Sequence, residues 1–355
     1  MAEIKFDSTY EHIISLENLL EAWKEFVLGK KSRKDVQEFQ RNLMSNIINL
    51  HDNLKHKTYS HSAYEAFNIS DPKPRNIHKA SVRDRLLHHA LYRKLYPYFD
   101  KRFIYDSYSC RTGKGTHKAI DKFRKYAYKA SKNNTKTVWI LKCDIRKFFA
   151  SIDQHILLLV LSRYIHDRDV MWLLEVVIKS FHSTEEGKGL PLGNLTSQLL
   201  VNIYMNEFDQ IVKHIIKAKY YIRYADDFVV MNTSREELAS VLSEMIIFLR
   251  KNLKLALHPD KVSIETLASG VDFLGWVHFL DHRVLRTSSK KRMFSRIKVN
   301  QSRETTASYL GLISHGDTHR LRTSIGQIVG FQSSAVPTPA AISRKKYKSN
   351  TINML

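Results

Sequence analysis

The sequence predicts an α+β fold, and three observations carry that expectation. Apolar residues recur at helical spacing through long stretches near both ends of the chain and again in its middle. Between them lie short runs of Tyr, Ile, Phe and Val, such as 137–143, 219–223 and 228–231, that suit strands. A chain of 355 residues with 43% hydrophobic composition, including 17 Phe, 17 Tyr and 4 Trp, can bury a sizeable core over two or three domains.

Taken in order, 15–28 and 34–55 carry a helical apolar stripe. Ser15 is the expected N-cap and Glu17 the acid of the first turn, although Asn18 stands where a capping box would have Glu or Gln. Residues 57–81 hold Pro72 and Pro74, which argue for an extended or hairpin segment, and helical spacing resumes from Ser81 to about Pro97. A strand follows at 137–143, then helices near 153–165 and 169–181 and a long one over 195–217. The two strands at 219–231 lead into a helix over 234–253, whose first turn holds Glu236 and Glu237. Short strands are expected in KVSIETL, VDFLGWVHF and RVL, then a basic helical region over 288–325 and a basic tail. No internal repeat is visible.

The charge balance, 57 Lys and Arg against 35 Asp and Glu, gives +22 spread along the chain, which points to a polyanionic partner such as nucleic acid. Cys110 and Cys143 are the only cysteines and have no metal-ligand spacing, so neither a zinc site nor a disulfide framework is indicated. No leader-like N-terminus and no 18-residue apolar segment occurs, and a cytoplasmic protein without membrane contact is expected.

The stretch KYYIRYADDFVVM, 219–231, joins two strands through Tyr-Ala-Asp-Asp. A two-residue hairpin loop favours glycine at positive φ, and Ala225-Asp226 offers none; such a departure suggests function. Adjacent Asp226 and Asp227 repel each other, so a divalent cation is the natural neutraliser, although a solvated acidic turn fits as well. Asp144, at the end of an apolar strand, supplies a second carboxylate position. Together the three suit magnesium and phosphoryl transfer.

These residues resemble the right-hand polymerases of the reverse transcriptase type. YADD at 224–227 is similar to their palm motif, DIRKFF at 144–149 to the motif of the first aspartate, GLPLGNLTSQ at 189–198 to the nucleotide-pocket loop and helix, and FLGW at 273–276 to the primer grip. Many bacterial members have Gln-Gly and Ser-Pro in the pocket motif; here Leu192-Gly193 and Ser197-Gln198 resemble the reverse transcriptases of diversity-generating retroelements. The flanking DPKPRNIHKASVRDRLLHHALY and SYLGLISHGDTHRLR are similar to the same group, and the resemblance spans about residues 10–325.

The resemblance implies fingers and a palm of antiparallel sheet on helices over 61–285, after an N-terminal helical extension at 1–60. A helical thumb over 286–335 and a basic tail over 336–355 complete the expected layout. It implies that Asp144 and Asp226 hold two magnesium ions, with manganese as a substitute, helped by Asp227 and the Ile145 carbonyl. Phe149 would lie beneath the sugar and exclude a 2′-hydroxyl, leaving Phe148 to the core. Arg75, assisted by Lys73, would meet the triphosphate, and Lys261 would protonate the leaving pyrophosphate. Gly193 would let backbone approach the nucleotide, apolar Leu192 would loosen base discrimination, and Gln198 would belong to the same nucleotide pocket. Phe273, Leu274, Gly275 and Trp276 would form the primer grip. The loop CRTGKGTHKA lacks the spacing of a P-loop and is expected to touch template backbone.

The expected partners are template RNA, primer or cDNA, dNTPs and a small basic helical accessory protein. The expected product is cDNA from a template-repeat RNA, copied at low fidelity opposite adenines. The alternatives are a retron-like, antiphage-defence or group II intron-like reverse transcriptase, or a non-catalytic RNA-binding protein on a polymerase scaffold.

Overall fold

The structure, a computed structural model, describes residues 6–70 and 74–329. Lys73, the 336–355 tail and the last residues of the expected thumb lie outside the described residues. Four helices open the chain: α1 (Tyr10–Ile14), α2 (Leu16–Phe26), α3 (Lys34–Arg41) and α4 (Leu43–Lys55). The Ser15 hydroxyl accepts the Asn18 amide at 3.2 Å and starts α2 as expected. The single helix expected over 34–55 is divided at Asn42, which sits at φ −118° and ψ 39°. The Asn46 side-chain amide donates to the Phe39 carbonyl at 2.9 Å, taking an acceptor that an unbroken helix would have used itself.

Strands β1 (Glu65–Ile69) and β2 (Arg75–Lys79) form an antiparallel hairpin, the form expected around the two prolines. Helix α5 (Val82–Asp100) runs through Pro97 instead of stopping there. Its last turn carries Tyr98 and Phe99, both buried, and their packing outweighs the one hydrogen bond that proline forgoes. Helix α6 (Thr116–Ala130) begins inside CRTGKGTHKA, so the last four residues of that loop are helical. Ala119, Ile120, Phe123, Ala127 and Ala130 are its buried stripe.

Next come β3 (Trp139–Asp144), α7 (Phe148–Ser151), α8 (Gln154–Ser162), α9 (Arg168–Lys179) and α10 (Leu195–Gln210), which continues through one π-helical turn, Ile211–Ile215. Strands β4 (Tyr220–Tyr224) and β5 (Asp227–Asn232) precede α11 (Arg235–Asn252), capped by Ser234. Strands β6 (Ser263–Thr266), β7 (Val271–Phe273), β8 (Trp276–His278) and β9 (Arg283–Leu285) lead to α12 (Thr287–Val299), α13 (Arg303–Ile313) and α14 (His319–Val329).

The central sheet has the order β4-β5-β3-β6, antiparallel throughout. Side chains alternate across it: Leu141, Cys143, Tyr221, Phe228 and Val230 join the large core with α1, α2, α4, α5 and α8–α11. Ile140, Ile222, Val229 and Met231 face α6 and Phe273 on the other side. The N-terminal helices therefore share one core with the central sheet. A separate core gathers Trp276, Leu285, Met293, Ile297, Ile313 and Ile325 between β8, β9 and the last three helices. Gly316 lies against the Trp276 ring with no room for a Cβ, which fixes these helices on the sheet β7-β8-β9. Among the described residues, no helix is long and apolar enough to cross a membrane.

Candidate active site

The pairing of β3 with β5 sets Asp144 directly opposite Asp227. Tyr224 pairs with Asp227 across β4 and β5, so Ala225 and Asp226 alone make the turn. Ala225 takes φ 54°, the left-handed conformation an alanine adopts only at a cost of about 1–2 kcal/mol. Beyond Asp144 the chain stays in register: the Ile145 amide donates to the Asp226 carbonyl at 3.2 Å, and the His258 amide donates to the Asp144 carbonyl at 2.8 Å. Three carboxylates thus come from two strand ends and a tight turn, with the segment ahead of β6 alongside.

Their electrostatics follow from crowding. Burial pushes the Asp227 carboxyl up to about 6, with Asp226 and Asp144 adding repulsion against the pull of Lys142 and Lys261. Burial also raises Asp226, which Asp144 reinforces while its own backbone amide, Lys261 and Arg75 oppose it. Lys261, on the short turn Pro259–Lys261, places Nζ 2.8 Å from Asp144 Oδ1. Among the described residues no three His, Cys, Asp or Glu side chains are gathered around a common point. The strands align the backbones of the three aspartates, and Asp144 directs one oxygen at Lys261. The donor set itself, hard carboxylate oxygens that repel one another in a half-buried site, fits a divalent cation such as magnesium.

The other expected residues are placed as follows. Arg75 begins β2, is exposed, and acts on Asp226 through its charge. Phe148 is buried at 4% exposure, while Phe149 is half-buried against it with its carbonyl accepting the Leu190 amide at 2.9 Å. Leu192 is half-buried, and its carbonyl accepts the His78 amide of β2 at 3.1 Å. Gly193 has φ 104°, and a Cβ there would stand 2.8 Å from Ile77 Cγ2; the close approach is to the fingers hairpin. Gly193→Ala is therefore expected to destabilise the fold by about 1–3 kcal/mol, read as a lowered urea midpoint, with Ile77→Ala restoring part of it.

Phe273 and Trp276 close the β7–β8 hairpin around Leu274 at φ 51° and Gly275 at φ 87°. Phe273 is 0% exposed and stacks on Phe123, and Trp276 is 1% exposed within the core of the last three helices. Of the four residues of the expected grip, only Leu274 and Gly275 offer surface to a ligand.

Sequence reasoning missed a basic cavity of about 300 Å³ between the N-terminal helices, the hairpin and the start of α10. Gly193 and Gln198 line it together with Lys30, Arg33, Lys79 and Arg85. Asn194 makes no side-chain cap, which leaves the first amides of α10 uncovered by its side chain. Burial, then Arg33 and Arg85, lower the Lys30 pKa, while Asp35 pairs with Arg85 at 2.6 Å and with Lys79 at 3.0 Å. The scattered basic residues of the sequence gave no sign that these four would converge.

A right-hand polymerase site is what a carboxylate-bearing antiparallel sheet between a hairpin and a helical thumb defines. The family model described as reverse transcriptase (RNA-dependent DNA polymerase) matches residues 69–278, and the chain belongs to that family. Protein YkfC of Escherichia coli is 26% identical over 284 residues, covering 69% of this chain and 72% of that protein. The group II intron-encoded protein LtrA of Lactococcus lactis is 23% identical over 223 residues, covering 43% of this chain and 36% of its own length. A telomerase structure from Candida albicans matches with TM-score 0.49 and 10% identity, covering 69% of this chain and 52% of that one.

Proposed function

We propose that this reverse transcriptase copies a template-repeat RNA into cDNA at low fidelity, as part of a diversity-generating retroelement. The observation supporting the polymerisation step is the register of Asp144 against Asp227 beside the Asp226 turn. Asp144, Asp226, Asp227 and the Ile145 carbonyl would hold two magnesium ions, whose positive charge would supply activation of the primer hydroxyl and neutralisation of the pyrophosphate. Arg75 orients the triphosphate, and Phe149 excludes the ribose 2′-hydroxyl. Lys261, held 2.8 Å from Asp144, supplies a proton to the leaving group. At the cavity Lys30 and Arg33 neutralise phosphates of the template strand, while Arg85 and Lys79 are paired with Asp35 at 2.6 and 3.0 Å.

Leu192 supports the low-fidelity reading, because an apolar side chain there offers no hydrogen bond to discriminate the incoming base. Sequencing of cDNA made from an RNA template, with the accessory protein present, tests it. Errors concentrated opposite adenines, and reduced by Leu192→Gln, are expected; errors spread evenly at ordinary frequency contradict it. The likeness to LtrA favours a group II intron-like enzyme as the second reading, and accurate cDNA supports that one. For the sugar, Phe149→Val is expected to raise ribonucleotide incorporation on the order of 10- to 100-fold in single-nucleotide addition, with dNTP addition changed far less.

A further inference from the structure

Beneath the YADD turn lies one arginine with every donor used. Arg223 is 0% exposed, on the face of β4 that Tyr221 presents to α10. Its Nε donates to Asp209 Oδ1 at 2.8 Å and its Nη2 to Asp209 Oδ2 at 2.7 Å. The second hydrogen on Nη2 reaches Ser107 Oγ at 3.1 Å. Those on Nη1 reach Asn202 Oδ1 at 3.3 Å and the carbonyl of Ala225 at 3.1 Å. Asp209, also 0% exposed, takes a further bond from the Tyr221 hydroxyl at 2.7 Å.

Asp209 and Asn202 both belong to α10, the helix that starts beside Gly193 and Gln198. Ala225 is the left-handed residue of the turn. A single planar side chain therefore bonds the helix that begins at the pocket motif and the backbone that presents Asp226. A buried ion pair alone contributes little net stability; a five-donor fork fixes geometry, and lysine cannot reproduce it.

We propose that Arg223 is a positioning residue that holds Ala225 left-handed and so sets Asp226 and Asp227 against Asp144, with α10 as its fixed support. A charge-assisted bond to a carbonyl is strong enough to offset the cost of one left-handed alanine. The inference rests on the polymerase function proposed above, which makes Asp226 and Asp227 the residues that matter.

Arg223→Lys keeps the charge beside Asp209 and removes the fork. It is expected to unfold cooperatively, to exchange the amide hydrogens of residues 225–227 about tenfold faster, and to lower kcat for primer extension about tenfold, with the dNTP KM changed less than about threefold. Adding Ala225→Gly, which occupies positive φ freely, restores part of kcat and slows the exchange of residues 225–227 toward the native rate. Native exchange and kcat in Arg223→Lys overturn the proposal, as does a loss that glycine leaves unrestored. If Arg223→Lys fails to fold, Asn202→Ala, which removes the other acceptor of Nη1, is judged by the same readouts. Exchange is measured without substrate, so a native chain inactive on every primer overturns the polymerase reading while the clamp is still decided by exchange.

Discussion

Asp227→Asn is expected to raise thermal stability while lowering the rate of nucleotide addition. In the folded chain the Asp227 carboxyl is raised from 3.8 to about 6 by burial and by its two carboxylate neighbours. A shift of that size opposes folding by about 2–3 kcal/mol at neutral pH, since each pKa unit corresponds to about 1.4 kcal/mol. Asparagine keeps the shape and loses the charge. In buffer containing a chelator, the midpoint should rise by a few degrees, by about 2 kcal/mol of stability. Primer extension should fall, because the repulsion that asparagine relieves is the same concentration of negative charge that would draw in a cation. A variant no more stable than the native chain would show that the crowding is relieved elsewhere.

Acidification from pH 7 to pH 5 is expected to destabilise the helical half of the protein. His88 and His89, on α5, are both lowered to about 3, chiefly by burial, with His61, Arg85, Lys30 and Arg93 adding positive charge and Asp84 opposing it at His88. The folded values lie below the unfolded 6.5, so the unfolded chain takes up protons first. Stability is complete above about pH 6.5 and falls as pH drops toward 3. At pH 5 each histidine costs about 2 kcal/mol, or about 4 kcal/mol together, and Asp227, with its raised value, offsets about 1 kcal/mol of that. Urea midpoints at the two pH values measure the difference. The double variant His88→Gln, His89→Gln should lose about 4 kcal/mol of the pH dependence and keep the part set by His278, which burial lowers to about 4; a native chain equally stable at both values would contradict this.

What was legible in the sequence was local. Ser15 and Ser234 announce their helices because a cap bonds an amide only a few residues away. The strands around YADD and the strand ending at Asp144 show in their β-branched and aromatic runs. Their pairing, which puts Asp144 opposite Asp227, depends on packing across a long stretch of chain. Helix α6 was hidden by Gly113 and Gly115, although its apolar spacing from Ala119 to Ala130 was there to be seen. Arg223 did carry a signal, a charge inside an otherwise apolar strand, but its partner Asp209 sits on another element and only the fold brings them together. Motif likeness also conceals packing: Phe273 and Trp276 belong to a motif named for gripping a primer, and both side chains are spent in the core.

The central claim is that Asp226 and its neighbours carry RNA-directed DNA synthesis. Its most direct test is single-nucleotide extension of a DNA primer annealed to RNA, with magnesium and dNTPs, by the native chain and by Asp226→Asn at matched folding. Extension by the native chain and a loss of at least about a thousandfold in the variant are expected. Equal extension by both would contradict it.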